Sequence, residues 1–354
     1  MKKITVLSLF NGMGTGRQAI EDLGIKIEKF YSSEIKKNAI KLAQFHFPDT
    51  IQLGNINNWR NWDIKWGSID IILSGSPCQD LSIAGKRKGL SGSQSILFYV
   101  FIDILEHIRK FNSKILFFQE NVGSAKISEV LKISEALNIL PVRFNSNLVT
   151  AQNRDRYYWS NIRVRTDWTG YNYTDIPPPA DQKLLLQDIL TDGYADRNKA
   201  NTLLASSGDC FKTQKKLYDR YKNKGMVNIV YLEKYKKLVT VKDGTLEIKT
   251  NTKSGFKIAQ KGNIIDLSYP ASKTRGGRVF PEKSPCLMAD PGQKLFIFTG
   301  DNIRILNKTE LCRLQGFPDN YCDILTRNQA ANLLGDGWSL PMVKHFFKYL
   351  NIFN

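Results

Sequence analysis

The first 165 residues alternate short apolar runs with segments whose apolar residues recur at helical spacing. The apolar runs predict buried strands over residues 4–9, 27–32, 69–73 and 115–118. The helical spacing predicts helices over residues 17–23, 35–45 and 97–109. Two further strands are predicted over residues 142–149 and 157–162, adjacent and antiparallel. This alternation is typical of an α/β fold with a parallel, doubly wound sheet.

The pattern weakens after residue 165. Three consecutive prolines stand at residues 177–179, and the polar, lysine-rich sequence that follows shows neither period. Residues 212–261 carry 14 Lys and Arg against 4 Asp and Glu, a local charge of +10. Helices return from residue 308 to 350, separated by the turns GFPDN and GDGWSLP. We predict one domain of residues 1–165 and 277–354, interrupted by a basic insertion of residues 166–276.

The charge of the chain predicts a polyanionic partner. Lys and Arg number 51 against 33 Asp and Glu, a net charge of +18, which suits a protein that neutralises phosphates. The alternative is an AT-rich genome, which raises the lysine content of its proteins. The N-terminal apolar run ends at Asn11 and Gly12, too early for a signal peptide, so we expect a cytoplasmic protein without a membrane partner. The five cysteines and three histidines are scattered, and we expect neither a disulfide framework nor a metal site.

The segment LSLFNGMGTG places glycines between the first strand and the first helix. Glycines there let a ligand approach the backbone, and a helix N-terminus favours an anionic group. A dinucleotide would suit such a turn, although the G-x-G-x-x-G spacing is absent. Glu34 follows the second strand, where a carboxylate can accept hydrogen bonds from ribose hydroxyls. By itself, Glu34 is equally well a solvated surface residue.

Three further motifs bring reactive side chains to the carboxyl edge of the predicted sheet. Cys78, in SGSPCQDLSIAGKRKG, follows a buried strand, where a cysteine is a nucleophile if a neighbouring charge stabilises its thiolate. The motif FFQENV brings Glu120 to the same edge. In AQNRDRYYW, Gln152, Arg154 and Arg156 alternate, so that a strand would project all three to one face.

These blocks, in this order, resemble the DNA (cytosine-5) methyltransferase family, and SGSPCQDLS, RDRYYW and GDGWSLP resemble its vertebrate de novo branch. The resemblance implies a Rossmann-like S-adenosylmethionine-dependent methyltransferase domain with a smaller, basic target recognition domain inserted. It implies double-stranded DNA as partner and leaves open a cognate restriction endonuclease. The positions implied to bind S-adenosyl-L-methionine are Phe10, Asn11, Gly12, Met13, Gly14, Thr15, Glu34, Asn55, Ile56, Asn57, Pro77, Asp336, Gly337 and Trp338.

The resemblance also implies a covalent mechanism on a flipped-out cytosine. The Cys78 thiolate would add to carbon 6, because carbon 5 alone is too weak a nucleophile. Glu120 would hold nitrogen 3 and the exocyclic amine, and would donate a proton if burial favours its protonated form. Arg156, with Arg154 as second candidate, would hold the carbonyl oxygen. The base that removes the carbon 5 proton is not identified.

The remaining expectations concern the DNA and the departures from the family pattern. Residues 79–95 would close over the extruded base, with Lys86, Arg87 and Lys88 on its phosphates, and Arg275 and Arg278 would reach a guanine edge or a phosphate. Asn55 stands where the family offers an aspartate to adenine, so we expect weakened cofactor binding. A tRNA cytosine methyltransferase and a catalytically silent DNA-binding relative stay open as alternatives.

Overall fold

The structure is a computed structural model. It describes residues 3–76, 96–195, 197–203, 228–231, 239–242, 245–250, 252–260, 263–266, 276–281, 295–297 and 303–350. Six of the site residues expected from the sequence lie outside the described residues: Pro77, Cys78, Lys86, Arg87, Lys88 and Arg275.

A seven-stranded sheet organises the first part of the chain. Its strands are β1 (Ile4–Leu9), β2 (Ile27–Ser33), β3 (Ile51–Gln52), β4 (Ile71–Ser74), β5 (Leu116–Val122), β6 (Val142–Asn145) and β7 (Asp155–Ser160). Their spatial order is β3-β2-β1-β4-β5-β7-β6. The pairs among β1 to β5 are parallel, whereas β7 runs antiparallel to both β5 and β6. The predicted α/β fold with a doubly wound, Rossmann-like sheet is confirmed.

Helices cover both faces of this sheet. They are α1 (Thr15–Asp22), α2 (Lys37–His46), α3 (Ile96–Arg109), α4 (Ile127–Leu137), α5 (Lys308–Leu314), α6 (Arg327–Asp336) and α7 (Leu340–Phe347). One core cluster joins Leu7, Ile72 and Phe117 of the strands to the fully buried Phe101 of α3. On the other face, the Phe118 ring lies 5.2 Å from that of Phe346 in α7. Both faces are apolar because a parallel sheet buries both of them.

Several strand boundaries differ from those expected, and β5 extends to Val122, four residues past its predicted end at residue 118. Strand β6 ends at Asn145, whose side chain accepts a hydrogen bond from Asn147 N and caps the short 3₁₀ helix Ser146–Leu148. Strand β7 begins at Asp155, two residues before the predicted start at residue 157 but after Gln152 and Arg154. The prediction that one strand projects Gln152, Arg154 and Arg156 to a common face was therefore wrong, since the first two residues precede the strand.

The chain forms two compact units. The first comprises Met1–Leu184, Thr202–Gly208 and Leu311–Asn354, and the second comprises Leu185–Asn201 and Asp209–Glu310. The first also holds a hairpin of β8 (Val164–Thr166) and β9 (Asn172–Thr174). The functional division predicted at residues 166 and 276 stays a prediction.

The second unit consists of short antiparallel strands in three small sheets. These strands are β10 (Tyr194–Ala195), β11 (Ile229–Tyr231), β12 (Val239–Lys242), β13 (Thr245–Lys249), β14 (Phe256–Ala259), β15 (Ile264–Asp266), β16 (Arg278–Phe280), β17 (Leu295–Ile297) and β18 (Ile303–Ile305). The sequence showed no period here because strands of two to five residues contain too few alternations. Among the described helices of the whole chain, none has the length and apolar character needed to cross a membrane.

Candidate active site

The glycine turn after β1 has an unusual backbone. Phe10, Gly12 and Gly14 all have positive φ, at 54°, 57° and 86°. Glycine adopts this conformation without strain, whereas Phe10 is held in it by its surroundings. Gly14 directly precedes α1, which begins without a side-chain cap. The turn therefore presents backbone N–H groups at a helix start, as expected for a site that receives a polar ligand.

Glu34 is joined to this turn by hydrogen bonds. Its Oε2 accepts one from Gly12 N at 2.8 Å, and its Oε1 accepts from Ile35 N and Lys36 N at 2.8 and 2.9 Å. A carboxylate has about four acceptor sites, so capacity remains for a ligand hydroxyl. The structure thus places Glu34 beside the glycine turn, where the sequence expected the ribose to bind.

Three glycines allow close packing between the glycine turn, the end of β4 and the turn at residues 335–338. A methyl group on Gly75 would lie 2.7 Å from Trp338 Nε1, and one on Gly337 would lie 2.8 Å from Met13 Cε. A methyl group on Gly16 would lie 2.6 Å from Leu73 Cδ1. Larger residues would therefore push apart the glycine turn, the end of β4 and the Trp338 ring. Gly337 and Trp338, two of the residues expected to bind the cofactor, therefore lie close to Met13 and Gly75.

Asn55 and Asp336 have partners within the protein. Asn55 Oδ1 accepts a hydrogen bond from Asn57 N at 3.0 Å and caps the 3₁₀ helix Ile56–Asn61. Asp336 is exposed and forms an ion pair with Lys36, a residue that sequence reasoning did not select. Lys36 follows Glu34 by two positions, so this ion pair joins the segment after β2 to the end of α6.

Arg154 is bound to the protein backbone. Its side chain is buried, with 3% of the residue exposed. Its Nη2 donates to the carbonyls of Gly337 at 2.7 Å and Gly335 at 3.2 Å, and its Nη1 donates to that of Leu203 at 3.3 Å. This guanidinium therefore holds the turn that carries Trp338. The sequence pattern alone could not show these partners, because two of them lie about 180 residues further along the chain.

Gln152 is a second buried crosslink. Its Nε2 donates to Leu314 O at 3.1 Å and to Gln315 Oε1 at 2.9 Å, while its Oε1 accepts from Leu203 N at 3.1 Å. Gln152 has no exposed surface. Together, Gln152 and Arg154 connect the segment before β7 to the C-terminal helices.

Glu120 and Arg156 form an ion pair at the carboxyl edge of the sheet. Arg156 Nε lies 2.7 Å from Glu120 Oε1, and each side chain is 12% exposed. Arg156 Nη1 also donates to Asp155 O at 2.7 Å. The antiparallel register places Arg156 opposite Val122 and Tyr158 opposite Glu120, so that the two charged side chains share one face. The structure therefore brings together the two residues that the sequence assigned to the polar edge of a base.

The surroundings of this pair have low polarity. Tyr158 is buried beneath it, and burial first, then the charge of Glu120, raises the pKa of its phenol well above the usual value. An apolar setting strengthens the attraction between a carboxylate and a guanidinium, but it also makes either group costly to leave alone. The pair is thus a preorganised set of hydrogen-bonding groups that is largely shielded from solvent.

The comparisons with known proteins agree with this geometry. The model of the family described as C-5 cytosine-specific DNA methylase matches residues 4–351. The Type II methyltransferase M.NgoBV of Neisseria gonorrhoeae is 25% identical, over 97% of this chain and 98% of the relative. The Type II methyltransferase M.HpaII of Haemophilus parainfluenzae is also 25% identical, over 97% of this chain and 88% of the relative.

Solved structures share the fold. The Entamoeba histolytica methyltransferase EhMeth superposes with a TM-score of 0.56 at 15% identity, covering 99% of this chain and 98% of the other. The S. pombe Dnmt2 methyltransferase superposes with a TM-score of 0.53 at 13% identity, covering 99% of this chain and all of the other, 100%. At such identities the likeness concerns the architecture and not the substrate.

Proposed function

This chain belongs to the C-5 cytosine-specific DNA methylase family, and on that premise we propose that it methylates carbon 5 of a cytosine rotated out of duplex DNA. The reaction would pass through a covalent bond between the Cys78 sulfur and carbon 6 of the base. The observation that carries the proposal is the Glu120–Arg156 pair, 2.7 Å apart at the carboxyl edge of the sheet. In open α/β sheets this edge is where ligands bind.

S-adenosylmethionine is the methyl donor, and the described residues fit it. Asn11 is 8% exposed, and its Oδ1 has no hydrogen-bond partner in the described part of the chain, so it can accept from a ligand donor. Gly16, Gly75 and Gly337 let the glycine turn, the end of β4 and the Trp338 ring pack closely against one another beside Asn11. The residues that would hold it are Phe10, Asn11, Gly12, Met13, Gly14, Thr15, Glu34, Asn55, Ile56, Asn57, Pro77, Asp336, Gly337 and Trp338. When bound, it supplies an electrophilic methyl group on a sulfonium.

The protein's own groups would prepare the base for that methyl group. The Cys78 thiolate would form a bond to carbon 6, and the electron pair displaced from the ring would make carbon 5 a nucleophile. Glu120 would hold nitrogen 3 and the exocyclic amine, and Arg156 would hold the carbonyl oxygen on which charge develops. After carbon 5 has been methylated and has lost its proton, the carbon–sulfur bond would break and return the thiolate.

The basic segment between the two parts of the catalytic domain would supply DNA contacts, together with basic residues of the catalytic domain. We assign residues 166–276 to target recognition, and Lys86, Arg87, Lys88, Arg275 and Arg278 to contacts with phosphates or base edges. Arg278 is exposed at the start of β16. Because the relatives M.NgoBV and M.HpaII are Type II methyltransferases, a restriction endonuclease that recognises the same sequence is the expected companion.

A methyl-transfer assay tests the proposal. The purified protein, given S-adenosylmethionine labelled in the methyl group, should label mixed-sequence duplex DNA, and nucleoside analysis should find the label in 5-methylcytosine. Cys78→Ala should abolish labelling, whereas the control Cys286→Ala, outside the segment assigned to target recognition, should keep it. Label in tRNA with none in duplex DNA would establish the tRNA methyltransferase instead. Binding of DNA without any label would establish a silent relative.

A further inference from the structure

Four buried polar side chains stand at the ends of β4 and β5, within an otherwise apolar region. Ser74 and Gln119 have no exposed surface, Asn121 is 1% exposed and Ser76 is 5% exposed. Ser74 and Gln119 lie directly opposite each other in the parallel register. Ser76 precedes Cys78 by two positions, and Gln119 precedes Glu120 by one. These polar residues therefore lie next to the proposed catalytic residues along both strands.

The Gln119 amide connects the two strand ends. Its Nε2 donates to Ser76 Oγ at 3.1 Å and to the carbonyl of Glu120 at 2.9 Å. A carbonyl can only accept, so the nitrogen of the amide must face Glu120 O. Asn121 Nδ2 also approaches Ser76 Oγ, at 3.5 Å. Ser76 is thereby linked to the main chain of the strand that carries Glu120.

The Gln119 side chain lowers the stability of the folded protein at this position. Its Oε1 is buried and has no hydrogen-bond partner in the part of the chain that the structure describes. Leaving a buried acceptor unpaired costs about 1–3 kcal/mol. A methionine of similar shape would fill the same space without that cost. Stability alone does not account for an amide here, whereas the positioning of the strand ends does.

We propose that Gln119 is a positioning residue for methyl transfer. Its amide fixes Ser76, two residues beyond the end of β4, relative to the backbone of Glu120. It thereby sets the position from which the chain continues to Cys78 relative to the Glu120–Arg156 pair. Gln119 acts through Ser76 and Glu120 and does not itself touch the base. This inference rests on the proposed function.

Gln119→Met tests the role, because it keeps the length of the side chain and removes both donors. The single-turnover rate of methyl transfer, at saturating DNA and cofactor, should fall about 10- to 100-fold, the scale expected for a misplaced catalytic group. The dissociation constant for S-adenosylmethionine should change by less than about twofold, since a positioning role affects the reaction and not ground-state binding.

Ser134→Ala is the matched control. Ser134 is also buried, at 5% exposure, and accepts a hydrogen bond from Trp159 Nε1 at 2.9 Å in the apolar core. Ser134→Ala should lower the melting temperature, because Trp159 Nε1 loses its acceptor, while the methyl-transfer rate is kept. Gln119→Met should do the reverse and lose rate with little change in melting temperature. Ser76→Ala should lower the rate as Gln119→Met does, and Ser76→Thr, which keeps the hydroxyl, should restore it. The double variant Ser76→Ala/Gln119→Met should be no slower than either single variant, because the two side chains act as one unit.

Two results would overturn the positioning role. One is a Gln119→Met enzyme with the full single-turnover rate. The other is a loss of rate that accompanies equal losses of cofactor binding and melting temperature, as a purely structural residue would produce. A wild-type protein that labels no duplex DNA in the same assay would overturn the proposed function, and the positioning role with it. An active wild-type protein with unaffected variants would overturn the positioning role alone.

Discussion

Arg154→Met should weaken the binding of S-adenosylmethionine, because Arg154 holds the backbone turn at residues 335–337. The side chain donates hydrogen bonds to Gly337 O at 2.7 Å, Gly335 O at 3.2 Å and Leu203 O at 3.3 Å. A hydrogen bond from a charged donor is worth about 1.5–3 kcal/mol. If the loss of one such hydrogen bond weakens cofactor binding by the same free energy, the dissociation constant for the cofactor should rise about 10- to 150-fold.

Isothermal titration of S-adenosylmethionine into the protein without DNA measures this effect apart from any role at the base. Arg154→Lys should be intermediate, because a single ammonium cannot reproduce the forked geometry of a guanidinium toward separated carbonyls. Arg156→Met is the comparison, since Arg156 pairs with Glu120 and donates to Asp155 O, whereas Arg154 is the one that bonds to the turn. It should abolish methyl transfer and leave the cofactor dissociation constant within about twofold of the wild-type value.

The opposite result would refute the reasoning. If Arg154→Met binds the cofactor as the wild type does, but loses methyl transfer to the same degree as Arg156→Met, Arg154 acts on the base. That result would support the role in binding the base that the sequence analysis gave to Arg154 as second candidate after Arg156.

Three further predictions follow from single contacts. Gly75→Ala would place a methyl group 2.7 Å from Trp338 Nε1, so the ring must move; weaker cofactor binding in the same titration is expected, and unchanged binding would contradict the packing. Burial lowers the pKa of His107 below its usual value of 6.5, so the stability that the neutral ring contributes is complete above pH 6.5 and is lost as the pH falls through the folded pKa. Urea unfolding of His107→Gln should therefore show a smaller loss of stability on acidification than the wild type, and parallel stability curves would refute this. Asp336→Asn removes the exposed ion pair with Lys36 and should weaken cofactor binding less than about fivefold. High salt should erase this difference between the variant and the wild type, whereas a salt-independent effect would argue for a direct contact between Asp336 and the ligand.

The central sheet could be predicted from the sequence because its strands are apolar on both faces. The run at Ile4–Leu9 matches β1 at both ends, and every residue of that strand is buried. Such apolar runs, bounded by glycine or polar turns, can be recognised from the local sequence alone. The family resemblance assigned Glu120 and Arg156 to the same base, but their direct ion pair depends on the pairing of β5 with β7 and could not be predicted.

The parts that could not be predicted depend on contacts across long stretches of sequence. The alternation of Gln152 and Arg154 has the period of a strand, yet both side chains turn inward to backbone and side-chain partners near residues 203, 314 and 335. Gln119 was not selected because a polar residue next to Glu120 reads as part of the same motif. Its separate contact with Ser76 depends on the register of β4 and β5.

Trapping of the covalent intermediate tests whether Cys78 is the nucleophile. Methylation-sensitive sequencing of DNA from cells that express the protein would identify the target, and a duplex with 5-fluorocytosine at that position would then be incubated with the enzyme and S-adenosylmethionine. Fluorine cannot leave carbon 5 as a cation, so the carbon–sulfur bond should persist in a complex that resists denaturation, and peptide mapping should find the DNA attached to Cys78. Attachment to another residue, or no stable complex from an enzyme that methylates the ordinary duplex, would contradict the covalent mechanism.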